Sequence, residues 1–105
     1  MIGRLATYNL SGDARDLARR AEEGILPIFR SQSGFRSYSV ALGDDGRIYS
    51  MSAWESRADA EAGNEAAASF VAENMADDLE LVGVQYAELL FNTALGVSTL
   101  AGATA

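Results

Sequence analysis

GFRSYSVALGDDGRIYSMSAWE, residues 34–55, decides the fold. Two stretches of alternation flank Gly43-Asp44-Asp45-Gly46. In the first, Tyr38, Val40 and Leu42 fall on one face, with Ser37, Ser39 and Ala41 on the other. In the second, Tyr49, Met51 and Ala53 oppose Ile48, Ser50, Ser52 and Trp54. Successive side chains of a strand point to opposite faces, so each stretch reads as a strand. Gly and Asp tolerate the dihedrals of a tight connection, so the two strands form a hairpin.

Outward from the hairpin the pattern becomes helical on both sides. Upstream, Leu17, Ala21, Ile25 and Phe29 recur every four residues, with Ala18 and Ile28 beside them, as one buried stripe. Ser11-Gly12-Asp13 turns the chain and caps this helix, and Ser33-Gly34 stops it. Gly24 and Pro27 are expected to weaken or kink it near its end. Downstream, Ser56 and Asp59 open a second, Ala-rich helix in the manner of a capping box. Its expected inner face is Ala66, Ala67, Phe70, Val71 and Met75. Gly63 costs about 1 kcal/mol relative to alanine there, and marks either a break or a close backbone approach. If the helix is continuous, Asn64 faces a cleft.

One strand at each end completes the order β-α-β-β-α-β. The first spans Ile2 to Leu10; the last is long, from Leu79 to Phe91, with Leu81 and Leu89 on one side and Val82, Val84, Tyr86 and Leu90 on the other. Two right-handed β-α-β units fit together with both helices on one face of a four-stranded antiparallel sheet. The other face is left bare. A solvated face would show clean alternation on every strand, which the last strand lacks. Burial is worth roughly 25 cal/mol per Å² of apolar surface, so two such sheets are expected to pair as a homodimer through the open face, the alternative being a monomer whose tail folds over the sheet. Residues 1–91 read as one α+β domain, and residues 92–105 as a C-terminal tail without an assigned structure.

Composition narrows the chemistry mainly by exclusion. There is no cysteine and no histidine, which removes disulfides, Cys/His zinc sites, thiol nucleophiles and Ser-His-Asp triads. The net charge of −7 repels phosphate backbones and anionic membranes, so neither nucleic acid nor a membrane is an expected partner. No stretch approaches the ~20 apolar residues of a membrane helix, and Met1-Ile2-Gly3-Arg4 leads into no secretory signal. A cytoplasmic location is the default expectation. Asp44-Asp45 suits a turn and Asp77-Asp78 a solvated helix end, so no metal is assigned.

The order of these elements, together with several short stretches, resembles the antibiotic biosynthesis monooxygenase family of the dimeric α/β-barrel superfamily. The stretches are Leu5-Ala6-Thr7-Tyr8-Asn9-Leu10, Ile25-Leu26-Pro27, Ser33-Gly34-Phe35-Arg36, Ser52-Ala53-Trp54-Glu55-Ser56 and Val71-Ala72-Glu73-Asn74. The resemblance covers residues 2–91 and implies a ferredoxin-like homodimer whose two sheets form a barrel. It also implies cofactor-independent oxidation of a small aromatic phenol or quinol, or a non-catalytic dimeric module that binds a small hydrophobic ligand or partner. Haem-degrading members use a histidine on the second helix; the absence of histidine removes that branch. No cofactor is therefore expected.

In the catalytic members Asn, Trp and Tyr side chains line a pocket between sheet and helices. On that pattern Asn9 and Trp54 are the expected catalytic residues, one hydrogen-bonding an anionic intermediate and the other stacking on an aromatic ligand. Each also has a plain structural reading, Asn9 as a strand-end amide and Trp54 as a packing anchor. Tyr8, Tyr38, Met51, Asn64 and Phe70 are the expected substrate-binding residues. Relatives that use an asparagine at the position of Asn64 carry a tryptophan one turn on, where this chain has Ala68. No Asp, Glu or Lys offers itself as a buried base for an isomerase or dehydratase on the same scaffold.

Overall fold

A computed structural model describes residues 1–100. The order of its main elements is β1 (Ile2–Leu10), α1 (Ala14–Arg30), β2 (Phe35–Leu42), β3 (Ile48–Trp54), α2 (Arg57–Asn74) and β4 (Leu79–Glu88). The four strands form one antiparallel sheet in the order β2-β3-β1-β4, with both helices on one face. This is the ferredoxin-like α+β arrangement. Two short strands, β5 (Phe91–Asn92) and β6 (Val97–Ser98), pair as a hairpin that joins the last residue assigned to the domain to the tail. The last five residues of that tail lie outside the described residues.

Local chemistry accounts for the boundaries. Asp13 Oδ1 accepts the Asp16 N–H at 2.8 Å and caps α1, and Ser56 Oγ accepts the Asp59 N–H at 3.1 Å and caps α2. The β2–β3 turn closes through the Gly43 N–H to the Arg47 carbonyl at 2.8 Å, with Gly46 at φ +80°. Pro27 lies within α1, which continues to Arg30. The expected weakening there does not end the helix, because Pro27 is exposed and three further residues remain in register. At Gly63 the alternatives resolve into close approach. The helix is unbroken, and a Cβ at that position would collide with the Trp54 ring.

β4 differs from its expected form. It ends at Glu88 rather than Phe91, and a bulge opposite Thr7 and Tyr8 shifts its register. Tyr8 pairs with Leu81, Ala6 with Val84 and Arg4 with Tyr86, so Leu81 shares a face with Val84 and Tyr86 instead of opposing them. That face is the helix side. Leu81 is nevertheless 55% exposed, because β4 is an edge strand beyond the cover of the helices.

The core lies between sheet and helices. Leu17, Ala21, Ile25 and Phe29 of α1 bury the expected stripe, and Ala60, Gly63 and Ala67 of α2 meet it together with Met75. Short α2 side chains let that helix sit close to the sheet, over Trp54 and the small Ser50 and Ser52 of β3. No helix among the described residues is long and apolar enough to cross a membrane.

Candidate functional site

Two kinds of surroundings occupy the space beneath the helices. Toward the β2–β3 ends, Phe29, Phe35, Tyr38 and Trp54 pack edge to face or tilted, with ring centroids 4.8–5.8 Å apart. Trp54 is fully buried, and its Nε1–H donates to Ser52 Oγ at 2.9 Å. The other end sets a few polar side chains among apolar ones and is incompletely filled. A cavity of about 20 Å³ lies there, room for one water. Its sheet wall carries Arg4, Tyr8, Tyr38 and Ser50; its helix wall includes Ala21, Phe29, Ala67 and Val71.

Arg4 is the third residue of β1, on the inward face shared by Ala6 and Tyr8, and is 4% exposed. Its Nε–H donates to Asn64 Oδ1 and its Nη2–H to the Tyr8 hydroxyl oxygen at 3.3 Å. The five ion pairs among the described residues all lie elsewhere, and none includes Arg4. Among the described residues no carboxylate lines the cavity. Tyr38 hangs from β2 beside it. Burial pushes its hydroxyl from the ordinary 10.0 up to about 12, against a smaller opposing pull from Ser50. It is therefore a neutral proton donor throughout the physiological range.

Of the residues singled out in the sequence, Tyr8, Tyr38 and Asn64 come together around Arg4. Asn64 meets it because α2 runs unbroken through Gly63. Asn9 lies elsewhere: it is exposed on the opposite face, and its amide donates to Glu80 Oε1 at 2.9 Å. Met51 also faces away from the helices and is 51% exposed. Phe70 wedges against Gly24 between the two helices. Trp54 does not line the cavity; it packs against Phe29, which does. Arg4 and Ser50 were not among the sequence candidates. The signal for Arg4 was available in the alternation of β1, which places a charge among Ile2, Ala6 and Tyr8 on the buried face.

Among the described residues no group of three acidic side chains converges as a metal site would require. With no histidine or cysteine in the chain, Arg4, the two tyrosines, Ser50 and Asn64 are the polar groups at hand. They can bind and orient an oxygen, donate protons to it, and hold negative charge.

A family model described as antibiotic biosynthesis monooxygenase matches residues 1–69. No curated protein matches the sequence. Among solved structures, the chain resembles a monooxygenase from the gene ActVA-Orf6 of Streptomyces coelicolor in complex with nanaomycin D, at 20% identity and TM-score 0.66 over 84% of this chain and 86% of that one. It resembles Rv0793 from Mycobacterium tuberculosis at 19% identity and TM-score 0.65, over 87% and 96% respectively. A third is an arginine-to-serine mutant of MhuD with two manganese protoporphyrin IX bound per active site, at 14% identity and TM-score 0.66, over 88% and 97%. At these identities the likeness shows a shared fold.

Proposed function

From a chain that belongs to the antibiotic biosynthesis monooxygenase family, we propose a cofactor-independent monooxygenase acting on a small aromatic phenol or quinol. The observation that carries this reading is the interior cavity flanked by two tyrosines and Ser50 beside a buried guanidinium. In this scheme the deprotonated substrate passes one electron to O₂, and the two radicals combine as a peroxide on the ring carbon. Loss of water then leaves one oxygen on the substrate as a carbonyl and the other in the water. The protein's part is to orient the ring, stabilise the anion and protonate the departing oxygen. Tyr8, Tyr38 and Asn64 are assigned to substrate binding, and Trp54 holds the wall through Phe29.

The same reading pairs two copies through the open face of the sheet. Met51 on that face and Phe91 of the tail hairpin, 63% exposed, are apolar surface that a second copy would cover. Sedimentation of the full chain at micromolar concentration is expected to give a dimer; a monomer throughout would remove this part of the proposal.

A second reading, a non-catalytic dimeric module binding a small hydrophobic ligand or partner, is favoured by Ala68, which stands where relatives that use an asparagine at the position of Asn64 carry a tryptophan. Oxygen uptake separates the two. Quinols and electron-rich phenols, with chelator present and no cofactor added, are expected to drive O₂ consumption that falls roughly tenfold or more in Tyr38→Phe. No oxygen-dependent turnover across such a panel would leave the binding module.

A further inference from the structure

α1 and α2 cover the same sheet but hold it with different side chains. α1 buries Leu17, Ile25 and Phe29 along with Ala21. The buried residues of α2 are Ala60, Gly63 and Ala67, none with a side chain larger than a methyl group, while Phe70 and Val71 are half-buried. Burial energy scales with apolar area, so α2 is the more weakly attached of the two. Its ends are fastened: Arg57 lies over the Tyr86 ring, 5.0 Å from its centroid, and the side chain of Met75, just past the last turn, is buried. Between those ends, among the described residues, the side-chain hydrogen bond that ties α2 to the sheet is Asn64 Oδ1 accepting the Arg4 Nε–H.

The donor of that bond is a buried charge. None of the five ion pairs among the described residues includes Arg4, and its two acceptors, Asn64 Oδ1 and the Tyr8 oxygen, are neutral. Neutral acceptors replace only part of the hydration a guanidinium loses, so seating α2 on Arg4 carries a standing cost. Asn64 is half-buried, at the rim, so separation of α2 there readmits water to Arg4. Ala67 and Val71 of α2 wall a cavity of about 20 Å³, room for one water, and an organic ligand enters only when a wall moves.

We propose that α2 is a lid over the cavity, its opening favoured by rehydration of Arg4 and restrained by the Asn64 hydrogen bond. The two residues therefore act with opposite sign on one equilibrium. Loss of the charge favours the closed state; loss of the acceptor favours the open one. The device governs access and not chemistry, so it goes beyond both functional readings above and stands under either. An ordinary structural hydrogen bond would behave differently, since loss of either partner would loosen α2 alike.

Amide hydrogen exchange of the full chain, followed by mass spectrometry, reads that equilibrium, because an 18-residue helix containing Gly63 is marginal once detached. In the native protein the α2 amides are expected to exchange about tenfold or more faster than those of α1 and β3. Arg4→Met, which keeps the length of the side chain and removes its charge, should slow α2 exchange. Asn64→Asp supplies the missing carboxylate and should slow it too. Asn64→Leu leaves the charge without its acceptor and should speed α2 exchange by about tenfold. Arg4→Met and Asn64→Leu shifting α2 in the same direction would overturn the proposal. So would α2 of the native chain exchanging no faster than α1 and β3, or exchange that is unchanged in every variant. If Asn64→Leu does not fold, the other two variants decide: slower α2 exchange in both supports the lid, and any other result overturns it.

Discussion

The two ends of the interior are built from the same sheet and the same two helices, yet they differ in kind. At one end Trp54, Phe29 and Phe35 meet over Gly63, so closely that the glycine has no room for a methyl group. At the other, the small Ala21, Ser50 and Ala67 face one another across a gap, and a charged Arg4 stands in the wall. Close packing at the first end supplies stability through area and contact. The second forgoes some of that and gathers Arg4, Tyr8 and Asn64 in one hydrogen-bonded group beside a small gap. Binding sites combine a gap with a few placed polar groups, so the less well packed end is where function is to be sought.

Four measurements test this contrast. Trp54→Ala empties the sealed end and should cost ~3–5 kcal/mol in denaturant unfolding, whereas a loss under about 1 kcal/mol would mean that end is not the anchor. At the polar end, the raised Tyr38 ionisation predicts an alkaline effect. The unfolded chain ionises near pH 10 while the folded one holds its proton to about pH 12, so Tyr38's contribution is full below pH 10 and is lost between those values. Up to roughly 2–3 kcal/mol is at stake, and Tyr38→Phe should flatten that part of the stability–pH curve. A decline unchanged in the variant would place Tyr38 in a wetter setting.

Gly63→Ala comes next. Helix propensity alone would make it stabilising by about 1 kcal/mol, but collision with the fully buried Trp54 ring should reverse the sign to a loss of ~1–3 kcal/mol. A net gain in stability would show slack where the contrast requires none. Asn9→Ala, at an exposed amide on the opposite face of β1, should change stability by about 0.5 kcal/mol or less in the same unfolding measurement. A larger loss would show that the Asn9–Glu80 contact is not a surface one.

Local signals were read well from the sequence because their causes are local. The glycines of the β2–β3 turn, the caps at Asp13 and Ser56 and the four-residue recurrence of α1 each depend on neighbours within a turn or two. The candidates separate for a related reason. Tyr8 and Tyr38 fall on the inward face by alternation, while Asn9, one residue further along β1, falls on the other. Arg4 escaped notice because a single arginine in a strand is ordinary; its meaning lies in a partner sixty residues away and in the carboxylates that do not approach it.

The order of elements and the faces of β2 and β3 could be read from the chain alone, since alternation, caps and turn residues act through covalent neighbours. Tertiary structure alone decided which chemistry meets in the interior. The bulge in β4, the seating of Gly63 on Trp54, the reach of Asn64 to Arg4 and the gap beside Ser50 all follow from how closely separate elements approach. That distance is set by side-chain volumes summed across the interface, a quantity no single segment carries.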